Sequence, residues 1–319
     1  MSPAPAQARR VLVSDPLSAR ALEVLRAAPG VTVDERRGLK EPDLMPLVTE
    51  IDAWIVRGAT QVTRPLIEAA PRLRWIARAG AGLDNIDVAT AKARGIAVLN
   101  VPGANAVAVA ELVFGLLLGL MRHIPAADVS IRRGEWDKSR FMGRELRGKT
   151  LGIVGLGKIG RAVARRAQAF EMTCVGHDPI VPAEDIRAIG VEPLALGALL
   201  SRADILTLHV PLAPETRGMI GAAEIAKLPK GAIVVNAARG GLVDEVALVE
   251  ALNSGALAGA ALDVFGEEPP KGSPLASHPR VVATPHIGAA TVEAQEAVGE
   301  EIVKLLLARM AEEPASAKR

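Results

Sequence analysis

Gly155-Leu156-Gly157-Lys158-Ile159-Gly160 decides the reading of this 319-residue chain. A strand-like apolar run, Thr150 to Gly155, leads into it, and a helix-like run, Arg161 to Phe170, leads out. A second apolar run, Met172 to Gly176, ends close to Asp178. Three spaced glycines alone are a weak signal. In the order strand, turn, helix, strand, acid they read as a dinucleotide site. Gly155 permits the tight turn, Gly157 lets the backbone approach a pyrophosphate, and Gly160 lets the helix close on the strand. The N–H groups at the helix start favour phosphate. Asp178 stands where a carboxylate would accept from the ribose hydroxyls of NAD and repel the 2′-phosphate of NADP. Pro179, Ile180 and Val181 supply no arginine for that phosphate, so NAD is the expected cofactor. A flavodoxin-like turn with incidental glycines is the plainer alternative.

Composition narrows the classes. The length favours two domains, and half the residues are hydrophobic, enough for sizeable cores. The net charge is +2, and no stretch joins basic residues with aromatics, so nucleic-acid binding finds no support. The single cysteine, Cys174, excludes an internal disulfide and a cysteine-built zinc site, and no metal is expected. Tyrosine is absent, which removes a mechanism that needs a tyrosine acid. Met1 to Arg10 lacks an apolar core and reads as a loose tail rather than a secretory signal, which places the chain in the cytoplasm. Ala106 to Met121 imitates a membrane span. It falls short of the ~20 residues a bilayer requires and contains Glu111, so it reads as a core or subunit-interface helix and no membrane is expected.

Along the chain, short apolar strands alternate with helical patterns. Val11 to Ser14, Val31 to Val33, Ile51 to Val56, Arg74 to Ala77 and Ile96 to Leu99 read as strands of a first parallel sheet. Beyond the glycine motif, strands follow at Ile205–His209, Ile233–Asn236, Ala258–Val264 and Val281–Ala283. A last helix, Thr291 to Met310, has a threonine N-cap and returns to the first domain. The expected fold is α/β, with two Rossmann-like domains built on parallel sheets. Residues 1–101 with 287–319 would form a discontinuous, flavodoxin-like substrate domain, and residues 102–286 the NAD domain.

Three strand ends carry suspicious polar groups, and ligands of open α/β sheets lie outside the carboxyl ends of strands. Arg239 follows Ile233–Asn236, and a guanidinium there could hold a carboxylate in a two-point fork. A helix-start or surface arginine would look the same. Asp263, Glu267 and Glu268 follow the next strand. His286, between Pro285 and Ile287-Gly288, is placed as an acid or base, though a satisfied loop histidine fits the same pattern. Together, an arginine, a carboxylate and a histidine supply an anchor, a proton carrier and a group to orient it. These are the parts needed to oxidise a 2-hydroxy acid by hydride transfer to NAD. Of the other histidines, His209-Val210-Pro211 ends a strand and would line the nicotinamide through its backbone, while His123, His177 and His278 carry no catalytic signal.

Six blocks in order, Arg78–Asn85, Phe141–Gly143, Gly148–Gly160, Asn236–Glu245, Ala260–Phe265 and Pro285–Ala289, resemble the D-isomer-specific 2-hydroxyacid dehydrogenases. The resemblance covers nearly the whole chain and is closest to the branch that oxidises D-3-phosphoglycerate in the first step of serine biosynthesis. It implies a catalytic set of Arg239, Glu268 and His286, with Glu268 preferred to Glu267 because the family's acid directly precedes the proline. It implies cofactor contacts from Ala81, Lys158, Ile159, Asp178, Val210, Ala237, Ala238, Arg239, Asp263 and Gly288, beside the three motif glycines, His209, Pro211 and His286. His286 would take the hydroxyl proton, Glu268 would stabilise its charged form, and Arg239 would hold the carboxylate.

The resemblance further implies a homodimer built on the nucleotide domain. Arg57, Arg78, Lys138 and Arg140 stand where that branch gathers charges for the phosphate, and Asn105 matches a substrate-contacting asparagine. Gly58 replaces a common serine and Ser139 a common lysine, which leaves fewer contacts. The regulatory domains of many such enzymes are missing, so feedback inhibition by serine is not expected. A glyoxylate or hydroxypyruvate reductase would need fewer of these charges. A corepressor-like protein that senses NAD(H) is the non-enzyme alternative.

Overall fold

The structure is a computed structural model that describes residues 8–312. The expected tails lie outside the described residues except at their inner ends. There Arg9 and Arg10 open the first strand, and Ala311 and Glu312 extend the last helix. The described chain divides into two compact units, one running to Asn105 and resuming at Ala290, the other spanning Ala106–Ala289.

The first unit alternates β1 (Arg9–Val13), α1 (Ala19–Ala27), β2 (Val31–Glu35), α2 (Glu41–Val48), β3 (Ala53–Val56), α3 (Arg64–Glu68), β4 (Trp75–Arg78), α4 (Val88–Ala93) and β5 (Ala97–Asn100). The strands form one parallel sheet in the order β2-β1-β3-β4-β5, the flavodoxin-type order. Both faces are covered, so the strands read as continuous apolar runs rather than as an alternation. Val11, Val13, Ala53, Ile55, Trp75 and Ala77 point into one core. Leu12, Trp54, Val56 and Ile76 point into the other.

The glycine motif lies in the second unit. Its elements are α5 (Ala106–Met121), α6 (Ile124–Arg132), a 3-10 turn (Lys138–Phe141), β6 (Thr150–Val154), α7 (Lys158–Ala169), β7 (Thr173–His177), α8 (Ala183–Ala188), β8 (Glu192–Pro193), α9 (Leu196–Arg202), β9 (Ile205–Leu208), α10 (Ala222–Ile225), β10 (Ala232–Asn236), α11 (Glu245–Ser254), β11 (Leu257–Leu262) and β12 (Val281–Ala283). The seven strands are parallel, in the order β12-β11-β10-β9-β6-β7-β8. The chain runs outward from β6 to β8, then returns to β9 on the other side of β6. That reversal opens the crevice in which doubly wound sheets bind ligands.

The apolar α5 is a core helix of this unit. Val113, Phe114 and Leu117 pack with Val163, Ala164 and Ala167 of α7 and with Leu151 and Ile153 of β6. No single helix among the described residues is long and apolar enough to cross a membrane, and α5 with α6 passes such a test only as a pair bent by 63°.

The closing helix, α12 (Val292–Glu312), belongs to the first unit. Thr291 caps it, Oγ1 accepting from Ala294 N–H at 3.1 Å. Val298, Ile302, Val303, Leu306 and Met310 complete the core beneath β1, β3 and β4.

Several helices escape the sequence pattern. Pro42 and Pro46 look like helix breakers, yet Pro42 lies in the first turn of α2, where its missing N–H is no loss. Burial of Leu44 and Val48 outweighs the break at Pro46. The helices α4, α6 and α8 are six to nine residues long and too short to show a period. The strand over Ala258–Val264 ends at Leu262, so Asp263 and Val264 already belong to the following turn.

Candidate active site

The turn after β6 uses each motif glycine differently. Gly155 has φ +91, and a Cβ there would lie 2.6 Å from the His209 carbonyl oxygen. A Cβ on Gly160 would lie 2.0 Å from the Gly155 oxygen, so glycine is needed for α7 to close on β6. Gly157 has φ −67, and a Cβ there would meet nothing within 4 Å. Neither backbone conformation nor internal packing demands glycine at that position. The open space at the start of α7 fits a pyrophosphate approaching the backbone. The helix begins at Lys158, three residues before the sequence pattern suggests, because Gly157 is its N-cap.

Asp178 follows β7. Its Oδ2 accepts from Leu156 N–H at 2.8 Å, and Oδ1 accepts from Ile180 and Val181 N–H at 2.8 and 3.0 Å. Partial burial acts to raise its pKa. The three amides and the nearby His177 outweigh that and hold it below the ordinary aspartate value. The result is a fixed carboxylate beside the glycine turn. Across the crevice, His209 follows β9. Part of the residue is exposed, but its Nδ1 is buried without a hydrogen-bond partner, and Nε2 lies 3.0 Å from Thr207 Oγ1. Desolvation lowers its pKa to about 4. Val210 reaches toward Gly155, and the Pro211 carbonyl accepts from Thr216 Oγ1.

The carboxyl ends of β10, β11 and β12 are neighbours, and they carry Arg239, Glu268 and His286. His286 Nδ1 lies 2.8 Å from Glu268 Oε2. Glu268, and not Glu267, makes this contact. Glu268 Oε1 is itself fixed by Phe265 N–H at 3.2 Å. No hydrogen bond engages His286 Nε2 among the described residues.

Buried polar groups lock the three turns together. Asp263 is 1% exposed. Its Oδ1 accepts from Thr284 Oγ1 at 2.6 Å and Ile287 N–H at 2.8 Å, and its Oδ2 from Gly288 N–H at 2.8 Å. His286 N–H donates to the Asp263 carbonyl at 2.9 Å, which holds His286 at φ +54. Asp263 therefore sets the His286 turn from within. Asn236 does the same for the arginine: Oδ1 accepts from Ala238 N–H at 3.1 Å and Nδ2 donates to the Arg239 carbonyl at 2.8 Å. The Arg239 Nη1 donates to the Ala238 carbonyl at 2.6 Å. A Cβ on Gly240 would lie 1.7 Å from the Phe265 oxygen, so this turn rests directly on the loop that carries Glu268.

In the first unit, Arg57 and Arg78 stand at the ends of β3 and β4, half-buried, and Arg78 Nε donates to the Arg57 carbonyl at 3.0 Å. A Cβ on Gly80 would lie 1.7 Å from Arg78 Nη1, so Gly80 makes room for that guanidinium. Burial acts to lower the pKa of Arg57, and Asp15 opposes it. Gly58 is exposed, the Ala81 carbonyl accepts from Asn100 Nδ2, and Asn105 Oδ1 is buried without a partner. Lys138 and Arg140 lie exposed in the 3-10 turn, where Arg140 is 3.4 Å from Glu135. Among the described residues no three His, Cys, Asp or Glu side chains gather as a metal site.

His278 has a structural task, as its Nδ1 accepts from Arg280 N–H at 3.1 Å. The sequence reading misses Asp15 and Thr284. Their signal is faint: each is a small polar residue just past a strand end, like Asp178.

Comparison with known proteins matches residues 114–288 to the model of the D-isomer specific 2-hydroxyacid dehydrogenase NAD-binding domain. The chain is 49% identical over 308 residues to the D-3-phosphoglycerate dehydrogenase of Methanocaldococcus jannaschii, covering 95% of this chain and 58% of that protein. It is 48% identical over 298 residues to the hydroxypyruvate reductase of Thermotoga maritima, covering 92% and 96%. The crystal structure of a glyoxylate reductase from Paecilomyes thermophila superposes with a TM-score of 0.86 at 34% identity, covering 96% of each chain. The chain thus spans little more than half the length of the first of these relatives.

Proposed function

Because the chain belongs to the D-isomer-specific 2-hydroxyacid dehydrogenases, we propose that it oxidises D-3-phosphoglycerate to 3-phosphohydroxypyruvate with NAD, the first step of serine biosynthesis. The observation that carries this reading is the 2.8 Å pair of His286 and Glu268 beside the Arg239 turn. In it, residues 102–286 bind NAD, while residues 1–101 with 287–319 bind substrate. The active form is a cytoplasmic homodimer.

Gly155, Gly157, Lys158, Ile159 and Gly160 hold the pyrophosphate, and Asp178 holds the ribose. Ala81, the His209–Pro211 segment, Ala237, Ala238, Asp263 and Gly288 complete the cofactor's surroundings. When bound, NAD supplies the hydride acceptor. Glu268 accepts a hydrogen bond from His286 Nδ1, which leaves the Nε2 lone pair free to take the substrate hydroxyl proton. The carboxylate then stabilises the imidazolium. Arg239 binds the substrate carboxylate by charge-assisted hydrogen bonds. Arg57, Arg78, Lys138 and Arg140 receive the phosphate, with Gly58 and Asn105 beside the substrate.

A second reading, a hydroxypyruvate or glyoxylate reductase, is favoured by the match to the Thermotoga enzyme over 96% of its length. It is also favoured by Gly58 and Ser139, which remove polar contacts from the phosphate site. One panel separates the two: kcat/KM with NAD for D-3-phosphoglycerate, D-glycerate and D-lactate. We expect the phosphorylated acid to lead by at least about a hundredfold, since each charge-assisted contact contributes roughly 1.5–3 kcal/mol. If D-glycerate matches its 3-phosphate, the second reading replaces the first.

A further inference from the structure

Asn236 and Asp263, two of the few buried polar side chains, hold the Arg239 and His286 turns. Three others, Ser14, Asp15 and Thr60, form a separate cluster in the first unit, and the proposed chemistry gives it no task. Asp15 lies two residues past the end of β1 and is 3% exposed. Its carboxylate accepts from Arg57 N–H at 2.6 Å, from Thr60 N–H at 3.1 Å and from Thr60 Oγ1 at 2.8 Å. Thr60 is fixed twice more. Its Oγ1 lies 2.9 Å from Ser14 Oγ, and its carbonyl accepts from Asn85 Nδ2 at 2.6 Å. Ser14 Oγ in turn accepts from Trp54 Nε1 at 2.8 Å.

The loop from Arg57 to Thr60 is therefore tied at both ends to one carboxylate. Between the ties, Gly58 and Ala59 are exposed, and a Cβ on Gly58 would meet nothing within 4 Å. Arg78 is bound to the same loop through Nε and the Arg57 carbonyl. Burying a carboxylate is costly, and apolar replacements often serve stability as well or better. A plain turn does not require such a group. The parallel with Asp263 is close: each is a buried aspartate, just past a strand end, holding the backbone on which a functional side chain is mounted.

We propose that Asp15, acting through Thr60, is a positioning residue that fixes the Arg57–Thr60 loop and the spacing of the Arg57 and Arg78 guanidinium groups for an anionic group of the substrate. The anionic group is a phosphate ester or a group of similar charge. The proposal rests on the reading of Arg57 and Arg78 as substrate holders. Fixing in advance the backbone that carries Arg57 and anchors the Arg78 guanidinium removes part of the ordering cost of binding. Loss of that order weakens ground state and transition state alike, so KM rises while kcat holds.

The test is steady-state kinetics of the full chain at saturating NAD, with D-3-phosphoglycerate and D-glycerate. Asp15→Asn and Thr60→Val should raise KM for the phosphorylated acid by roughly tenfold, with kcat within about threefold and KM for D-glycerate within about twofold. Thr60→Ser keeps both donors and should behave as the parent. If Asp15→Asn does not fold, the isosteric Thr60→Val carries the test alone. Unchanged KM in these variants, with KM raised in Arg57→Ala, overturns the positioning role and leaves the substrate reading standing. Unchanged KM in Arg57→Ala as well overturns both. An equal fall of kcat for both substrates would mark Asp15 as merely structural and also overturn the proposal.

Discussion

Asp263→Asn offers the sharpest test of how the His286 turn is held. The side chain keeps its size and loses its charge. In the parent, three donors converge on a carboxylate that is 1% exposed: Thr284 Oγ1 and Ile287 N–H on Oδ1, and Gly288 N–H on Oδ2. An asparagine can keep its oxygen toward the first two. Its amide nitrogen then faces the Gly288 N–H, donor against donor, and the two remaining bonds lose their charge assistance. With bonds to charged groups contributing roughly 1.5–3 kcal/mol and a buried unmet donor costing about 1–3, the variant should lose roughly 2–4 kcal/mol. The left-handed conformation of His286 at φ +54 is then held less firmly, and its imidazole leaves its place. Misplacement by about 1 Å can cost on the order of a hundredfold in rate, so kcat should fall by about that factor. Thr284→Val removes only one of the three donors and should cost roughly 1.5–3 kcal/mol, with a small change in kcat. Urea unfolding followed by circular dichroism gives the stability, and hydrogen exchange at Ile287 and Gly288 reports on the turn itself. If Asp263→Asn unfolds at the parent's urea midpoint and protects those two amides equally, the buried carboxylate does not hold the turn.

Other expectations follow from the same geometry. His286→Ala should lower kcat by roughly 10²–10⁴-fold with little change in NAD affinity, and a variant keeping most of its kcat would show that the histidine is not the proton carrier. The Asp178 carboxylate should give NAD at least a tenfold advantage over NADP in kcat/KM, about 1.4 kcal/mol, and Asp178→Ala should narrow it; equal values in the parent would refute the assignment. His209 makes stability depend on pH. Its folded pKa of about 4 lies below the ordinary 6.5, so only the unfolded chain takes up the proton between those values. Above pH 6.5 the side chain contributes no slope; as pH falls toward 4 about 3 kcal/mol of stability should be lost, and His209→Gln should flatten that part of the profile. An unchanged profile in the variant would show that the ring is not desolvated as described.

Much of this site was legible because glycine and strand ends speak in the sequence. The motif from Gly155 to Gly160 follows β6, and the two tight contacts, at Gly155 and Gly160, fall on glycines for steric reasons any folded version of the chain must obey. Arg239, the Glu267–Glu268 pair and His286 stand out as polar residues just beyond the ends of apolar strand runs. The choice between Glu267 and Glu268 was not visible in the residues themselves. It depends on which carboxylate the loop after β11 turns toward His286, and only family likeness pointed to it. Asp15 and Asp263 show a different limit. Each acts by accepting backbone N–H groups brought near by tertiary folding, and a sequence gives no sign of which amides will lack other partners. The helix α2 was hidden by its prolines, whose local penalty is outweighed by burial that the sequence alone does not reveal.

The division of the first unit between both ends of the chain has a consequence for synthesis. The sheet of β1 to β5 leaves the ribosome without the cover that Val298, Ile302, Val303, Leu306 and Met310 later supply. Translation must first deliver the whole of Ala106–Ala289, which takes roughly 10–40 s at 5–20 residues per second. For that interval Val11, Val13, Ile55 and Trp75 lack part of their apolar cover. In such a nascent chain the oldest segment, not the newest, is the one most exposed to aggregation.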